Sequence, residues 1–274
     1  MVEKDEEMKK SSKPQVNTEN RDELFTRYEE LLLKKEQLIK EGESYRIAYI
    51  KEFGELTANV FKAKIECIRL KKNIAFCQKA LNQGRKINAE AMEKAAELEM
   101  KVYNDELRHI LRENKEAQEA TRSDRFDVTL GKKIYRRLAK KLHPDINKMT
   151  EKDPYLADLW NSIMRAYHMN DVERLEELEV LVNKAMKDLG EEAMEIDYTD
   201  LEERIEVLEI KIGLILSDKP YSYGEFLADE EKVKVKKAEM EKELKEYEDY
   251  ALQLEEVLAD LMMQGGATIR WETK

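Results

Sequence analysis

The chain has 274 residues, enough for one large domain or two to three small ones. Charged residues make up 40 % of it, with only 9 Gly and 4 Pro, so turn chemistry is scarce and the profile reads as all-α and rich in coiled coil. A net charge of −11 argues against bulk binding to nucleic acid or anionic membranes, and the longest apolar runs, around Leu31–Leu33 and Ile212–Leu216, fall far short of a membrane span.

Residues 1–20 are polar, carry Ser11-Ser12-Lys13-Pro14, and are expected to form a disordered tail with no secretory signal in MVEKDEEMKK. Residues 21–120 read as an N-terminal helical hairpin. Its first arm runs from Asp22 to Leu81, with Leu24, Tyr28, Leu31, Leu38, Phe53, Phe61 and Ile74 at helical spacing. Gly42 is expected to interrupt that arm, because glycine costs a helix interior about 1 kcal/mol relative to alanine. Cys67 and Cys77 lie ten residues apart on it. Such a separation spans roughly 15 Å of helix, too far for a disulfide within the helix, so two buried, reduced thiols in a cytoplasmic protein are expected. A turn at Asn82-Gln83-Gly84 and a cap at Asn88 lead into a second arm reaching about Ala120.

Residues 121–190 change character. Between Lys132 and Lys148 lie seven basic residues (Lys132, Lys133, Arg136, Arg137, Lys140, Lys141, Lys148) and a single acid, Asp145, so this window is +6 in a chain that carries −17 elsewhere. Ile134, Tyr135, Leu138, Ala139 and Leu142 make one apolar stripe, leaving the cations on the other side of a helix. A residue before proline is pushed out of the α region, so His143-Pro144-Asp145 is expected to form a rigid corner. After a polar loop, Asp153-Pro154 starts the next helix, with Leu156, Leu159, Trp160, Ile163 and Tyr167 on one face. Asn170 ends it, and Asp171 caps a further helix that Gly190 closes.

In the last third, Thr199 with Glu202 has the spacing of a capping box. Leu201, Ile205, Leu208, Ile212 and Ile215 follow at spacings of four and three, then an aromatic loop, DKPYSYGEFLAD, then Met240, Leu244, Tyr247, Ala251, Leu254, Leu258 and Leu261. This predicts a C-terminal coiled-coil hairpin over 195–263, whose longer second helix needs another partner, the N-terminal hairpin or a second chain. Residues 264–274 are expected to be a tail, although Ile269 and Trp271 are able to dock.

The central residues resemble the J-domain co-chaperones, whose signature is a basic Tyr/Leu/Ala helix, His-Pro-Asp, and a second helix ending in Ala-Tyr. The corresponding parts are YRRLAKKL, His143-Pro144-Asp145 and Ile163–Tyr167, and the resemblance covers residues 125–190, about a quarter of the chain. It implies docking of His143, Pro144, Asp145 and the seven basic residues on a chaperone ATPase of the seventy-kilodalton heat-shock class. It also implies that the chain performs no chemistry itself. J-domains usually open with a short aromatic-bearing helix ending in Leu-Gly, well before the basic helix. Here Leu130-Gly131 abuts the basic helix, and in RSDRFDV just upstream Phe126 is the only aromatic. The covering first helix is therefore absent, degenerate, or supplied by the end of the 88–120 helix.

Two other readings stand beside this one: a coiled-coil scaffold with a vestigial J-like hairpin, and a nucleic-acid binder using the basic helix. The −17 elsewhere and the lack of an aromatic platform weigh against nucleic acid. His109, His143 and His168 are scattered, outside any metal-ligand spacing, so no metal or cofactor is expected. The client, and any homodimer through the coiled coil, stay undefined at this level.

Overall fold

The structure, a computed structural model, describes residues 18–120 and 125–266; most of the expected N-terminal tail, and Ile269 and Trp271, lie outside them. The described residues are all-α, without a strand, and fall into two compact units: 18–41 with 125–218, and 42–120 with 219–266. No helix among them is long and apolar enough to cross a membrane.

The helices are α1 (Thr18–Asn82), α2 (Ala89–Glu119), α3 (Arg125–Leu142), α4 (Met149–Lys152), α5 (Pro154–Met169), α6 (Val172–Leu189), α7 (Leu201–Ser217), α8 (Tyr223–Ala228) and α9 (Glu230–Gln264). A 3-10 turn at Gly190–Ala193 follows α6. Helix α1 contributes its first part to one unit and the remainder to the other.

In the first unit, the stripe of α3 packs against Leu156, Leu159, Trp160, Ile163 and Tyr167 of α5 and against Leu175, Leu178, Val182 and Ala185 of α6. Tyr135 stacks on Tyr167 at 3.9 Å, while His143, beyond the other end of α3, meets Trp160. The middle of α3 therefore faces the late end of α5 while the residue just past its end faces an earlier part of α5, and the two run antiparallel. The expected caps form. Asp153 accepts from Tyr155 N and Leu156 N, Asn170 adopts the left-handed conformation (φ 55°), and Asp171 accepts from Arg174 N. A second cluster joins Tyr28 and Leu32 of α1 to Ile146 and to Leu201, Ile205 and Leu208 of α7. Fully burying side chains of this size is worth roughly 1.5–3 kcal/mol each, before the entropy of ordering them.

In the second unit, residues 42–82 of α1 pair with α2 in an antiparallel hairpin. Arg69 bridges Glu93 and Arg46, earlier on α1, bridges Glu113, later on α2. Asn88 caps α2 by accepting from Ala91 N, and Gly84 (φ 64°) makes the turn. Helix α9 runs parallel to α1: Lys237 bridges Glu52, Cys67 Sγ donates to Tyr247 O, and Cys77 Sγ lies 3.6 Å from Met262 Sδ. Both cysteines are free and buried, as expected from their spacing. The aromatic loop docks on α1, with Tyr223 stacked on Tyr49 at 4.0 Å and Tyr221 edge-on to Tyr45.

Several expectations need correction. Gly42 does not interrupt α1, which is helical throughout. A side chain there would start 3.3 Å from Pro220 Cγ, so the glycine accommodates the approach of the 219–223 loop. The Thr199–Glu202 capping box does not form. Asp200 precedes α7 in the left-handed conformation without a side-chain cap, and Asp197 accepts from Thr199 instead. Leu130-Gly131 lies inside α3, and the polar loop contains the short α4. The hairpin expected over 195–263 is divided: α7 packs on Tyr28 and Leu32, whereas α9 packs on residues 53–80 of α1. Heptad spacing specifies an apolar seam but not which helix fills it.

Candidate functional site

Helix α3 stops because Pro144 follows it. His143 N still donates to Ala139 O at 2.8 Å, and His143 O accepts from Ile146 N and Asn147 N at 2.8 and 2.7 Å. The backbone thus turns sharply around one carbonyl. His143 Nδ1 accepts from Asp145 N at 3.0 Å, which puts the ring proton on Nε2. The ring is 5 % exposed and stands edge-on to Trp160 at 4.8 Å. Burial drives its pKa down to about 4 despite the opposing pull of Asp145 and Glu36. At neutral pH His143 is therefore an uncharged spacer that holds the turn, not an acid or base.

Asn147, two residues past Asp145, is fully buried and uses all its hydrogen-bonding capacity. Its Nδ2 donates to Lys141 O (2.8 Å) and Ala193 O (2.7 Å), while its Oδ1 accepts from Met149 N and Glu195 N, both at 3.0 Å. Lys148 N adds a bond to Glu195 O at 2.8 Å. The corner is thereby pinned between the end of α3 and the chain beyond α6. Ile146, 1 % exposed, anchors it from the other side among Tyr28, Leu32 and Ile205.

Asp145 is half-buried at a cleft of about 400 Å³ lined by Tyr28, Lys35, Lys148, Arg204 and Lys211, among others. Arg204 is held by Asp197 at 2.6 Å.

The basic residues divide into two groups. Lys133 and Arg136 are exposed and Lys132 half-buried, and none of the three makes an ion pair with a described residue. Nearer the corner, Arg137 forms a two-pronged pair with Glu179 (2.6 and 2.8 Å), Lys140 pairs with Glu29 at 2.5 Å, and Lys141 donates to Asn183 Oδ1 at 2.6 Å. Lys148 approaches Glu151 at 4.0 Å. The structure therefore gathers His143, Pro144, Asp145, Lys140, Lys141 and Lys148 at one end of α3, with Lys132, Lys133, Arg136 and Arg137 leading away along it.

The helix that joins the α3 stripe from outside the 125–190 segment is α1, whose Leu33 enters the core. The end of α2 belongs to the second unit. Asn147, Glu29 and Glu179 also shape the site, and little in the sequence marks them. Asn147 is a common turn-forming type in a loop, but Glu29 and Glu179 look like ordinary helix-surface acids until distant helices meet. Among the described residues no group of His, Cys, Asp and Glu is placed to hold a metal ion. Comparisons with family models, curated proteins and solved structures find no match for the chain.

Proposed function

We propose that the chain is a cytoplasmic J-domain-type co-chaperone. Its first unit binds a seventy-kilodalton heat-shock-class ATPase and accelerates that partner's ATP hydrolysis, and its second unit serves client binding, assembly or localisation. The observation that carries this reading is the antiparallel α3–α5 pair joined by a pinned His143-Pro144-Asp145 corner, with cations on the face of α3 turned away from the core. Held there, Asp145 offers a carboxylate to a partner arginine, and the basic face steers an acidic surface toward it. No bond is made or broken by this chain. Its α9 seam is filled by α1, so a homodimer through that seam is not part of the proposal.

The test is steady-state ATP hydrolysis by such a chaperone at increasing concentrations of the chain. Acceleration is expected, and Asp145→Asn should remove most of it while leaving helicity and melting unchanged. The scaffold reading is favoured by the burial of Ile146 beneath α1 and α7, which covers one side of the corner. It expects Asp145→Asn to be silent. No acceleration with any chaperone tried ends the co-chaperone reading.

A further inference from the structure

Of the cations on α3, Lys132, Lys133 and Arg136 make no ion pair with a described residue, whereas Arg137, Lys140 and Lys141, the next three toward the corner, are engaged. Glu29, which takes Lys140, comes from α1 and is 9 % exposed, so it is itself held in place by packing. Glu179, which takes Arg137, comes from α6 and accepts from Nε and Nη2 of the guanidinium in parallel. The carboxyl of Glu179 is held below its usual range first by that hydrogen bond, so it stays ionised at neutral pH. Lys141 is occupied by Asn183, one helical turn further along α6. Any partner that grips the corner and the adjoining face together must present its acids where Glu29 and Glu179 already sit.

We infer that Glu29 and Glu179 act as internal competitors for an acidic protein surface, masking the cations nearest the corner and confining first contact to Lys132, Lys133 and Arg136. The inference rests on the co-chaperone reading and assigns the partner a surface with carboxylates at two levels. One set meets Lys133 and Arg136 in the encounter, and the other displaces Glu29 and Glu179 as the corner is engaged. Both masking pairs involve side chains about half exposed on the cationic side, so a competing carboxylate can reach them. The acids are the more buried members of both pairs, so a partner carboxylate exchanges at the exposed cation, and the gain is limited by the cost of leaving Glu29 or Glu179 unpaired. The masks therefore tune affinity and do not abolish it.

The experiment uses the full chain with Glu29→Gln, Glu179→Gln, the double variant, and Lys133→Gln/Arg136→Gln, each checked by thermal melting. The probe is a purified seventy-kilodalton heat-shock-class ATPase, and the readouts are the association rate across a salt series, the dissociation constant and the concentration giving half-maximal stimulation. Each glutamate substitution should tighten binding by roughly two- to five-fold at low salt, with the effects adding in the double variant. Lys133→Gln/Arg136→Gln should slow association and flatten its salt dependence. Unchanged or weaker binding by the folded glutamate variants, with an active wild-type chain, overturns the masking and leaves the co-chaperone reading intact. Absence of binding by the wild-type chain and every variant overturns both.

Discussion

At the residue scale, Asn147 ties the corner to the chain on both sides of it. All four of its hydrogen bonds are to backbone groups, two of them beyond position 190, and the site is closed to water. Removing the amide strands two carbonyls and two N–H groups, so Asn147→Ala should cost about 2–4 kcal/mol in urea unfolding. Asn147→Asp should also destabilise, because a carboxylate cannot donate to Lys141 O and Ala193 O. His143 brings a pH dependence whose sign follows from its depressed pKa. The unfolded ring titrates near 6.5 and the folded one near about 4. Acid therefore protonates the unfolded state first. The contribution of the neutral ring is intact above about pH 6.5 and is lost as pH falls toward about 4, on the order of 3 kcal/mol in all. His143→Gln should flatten that part of the stability profile relative to wild type, as measured by chemical denaturation between pH 7 and 4.

At the element scale, α7 and α9 show how the long helices are used. Each carries one apolar seam, and each seam lies on a different stretch of α1. Leu258, 4 % exposed, sits in the cluster with Cys77, Met92 and Met262. Leu258→Ala should cost about 2–4 kcal/mol from lost burial and the cavity left behind. The loss should appear as faster amide exchange in α9 and residues 67–80 of α1, with α3 and α5 unaffected. Gly224 has an equally local role. A Cβ there would start 2.7 Å from the ring of Tyr45. Gly224→Ala should therefore loosen the aromatic loop, read as increased proteolysis within 218–229.

For the whole molecule, two compact units imply two separately protected blocks in hydrogen exchange. Ile163→Ala, in the core of the first unit, should lower protection across α3, α5 and α6 while leaving α2 and α9 as they were. Uniform loss in both units would show that α1, which contributes to each, couples them into one cooperative fold. Charge also acts at this scale. The basic window lies in a chain that is −17 elsewhere, and two of those acids, Glu29 and Glu179, come to rest on it.

Local chemistry made much of this protein legible. Asp153-Pro154, Asn170, Asp171 and Gly190 mark the ends of α5 and α6 because capping is decided by neighbours a few residues apart. The stripe of α3 and the corner at Pro144 follow equally from helical spacing and from the steric demand of proline. Which helix meets which was not legible. The hairpin expected over 195–263 divided between two units, and α1, some hundred residues before α3, supplied Leu33 to its core. An apolar seam is satisfied by any complementary seam, so its spacing carries no address, and chain topology makes the choice. The same holds for charge. The sequence by itself determined a basic helix ending in His143-Pro144-Asp145. Only the tertiary structure decided which of its cations are met by acids from α1 and α6, because those acids approach from positions remote in the chain.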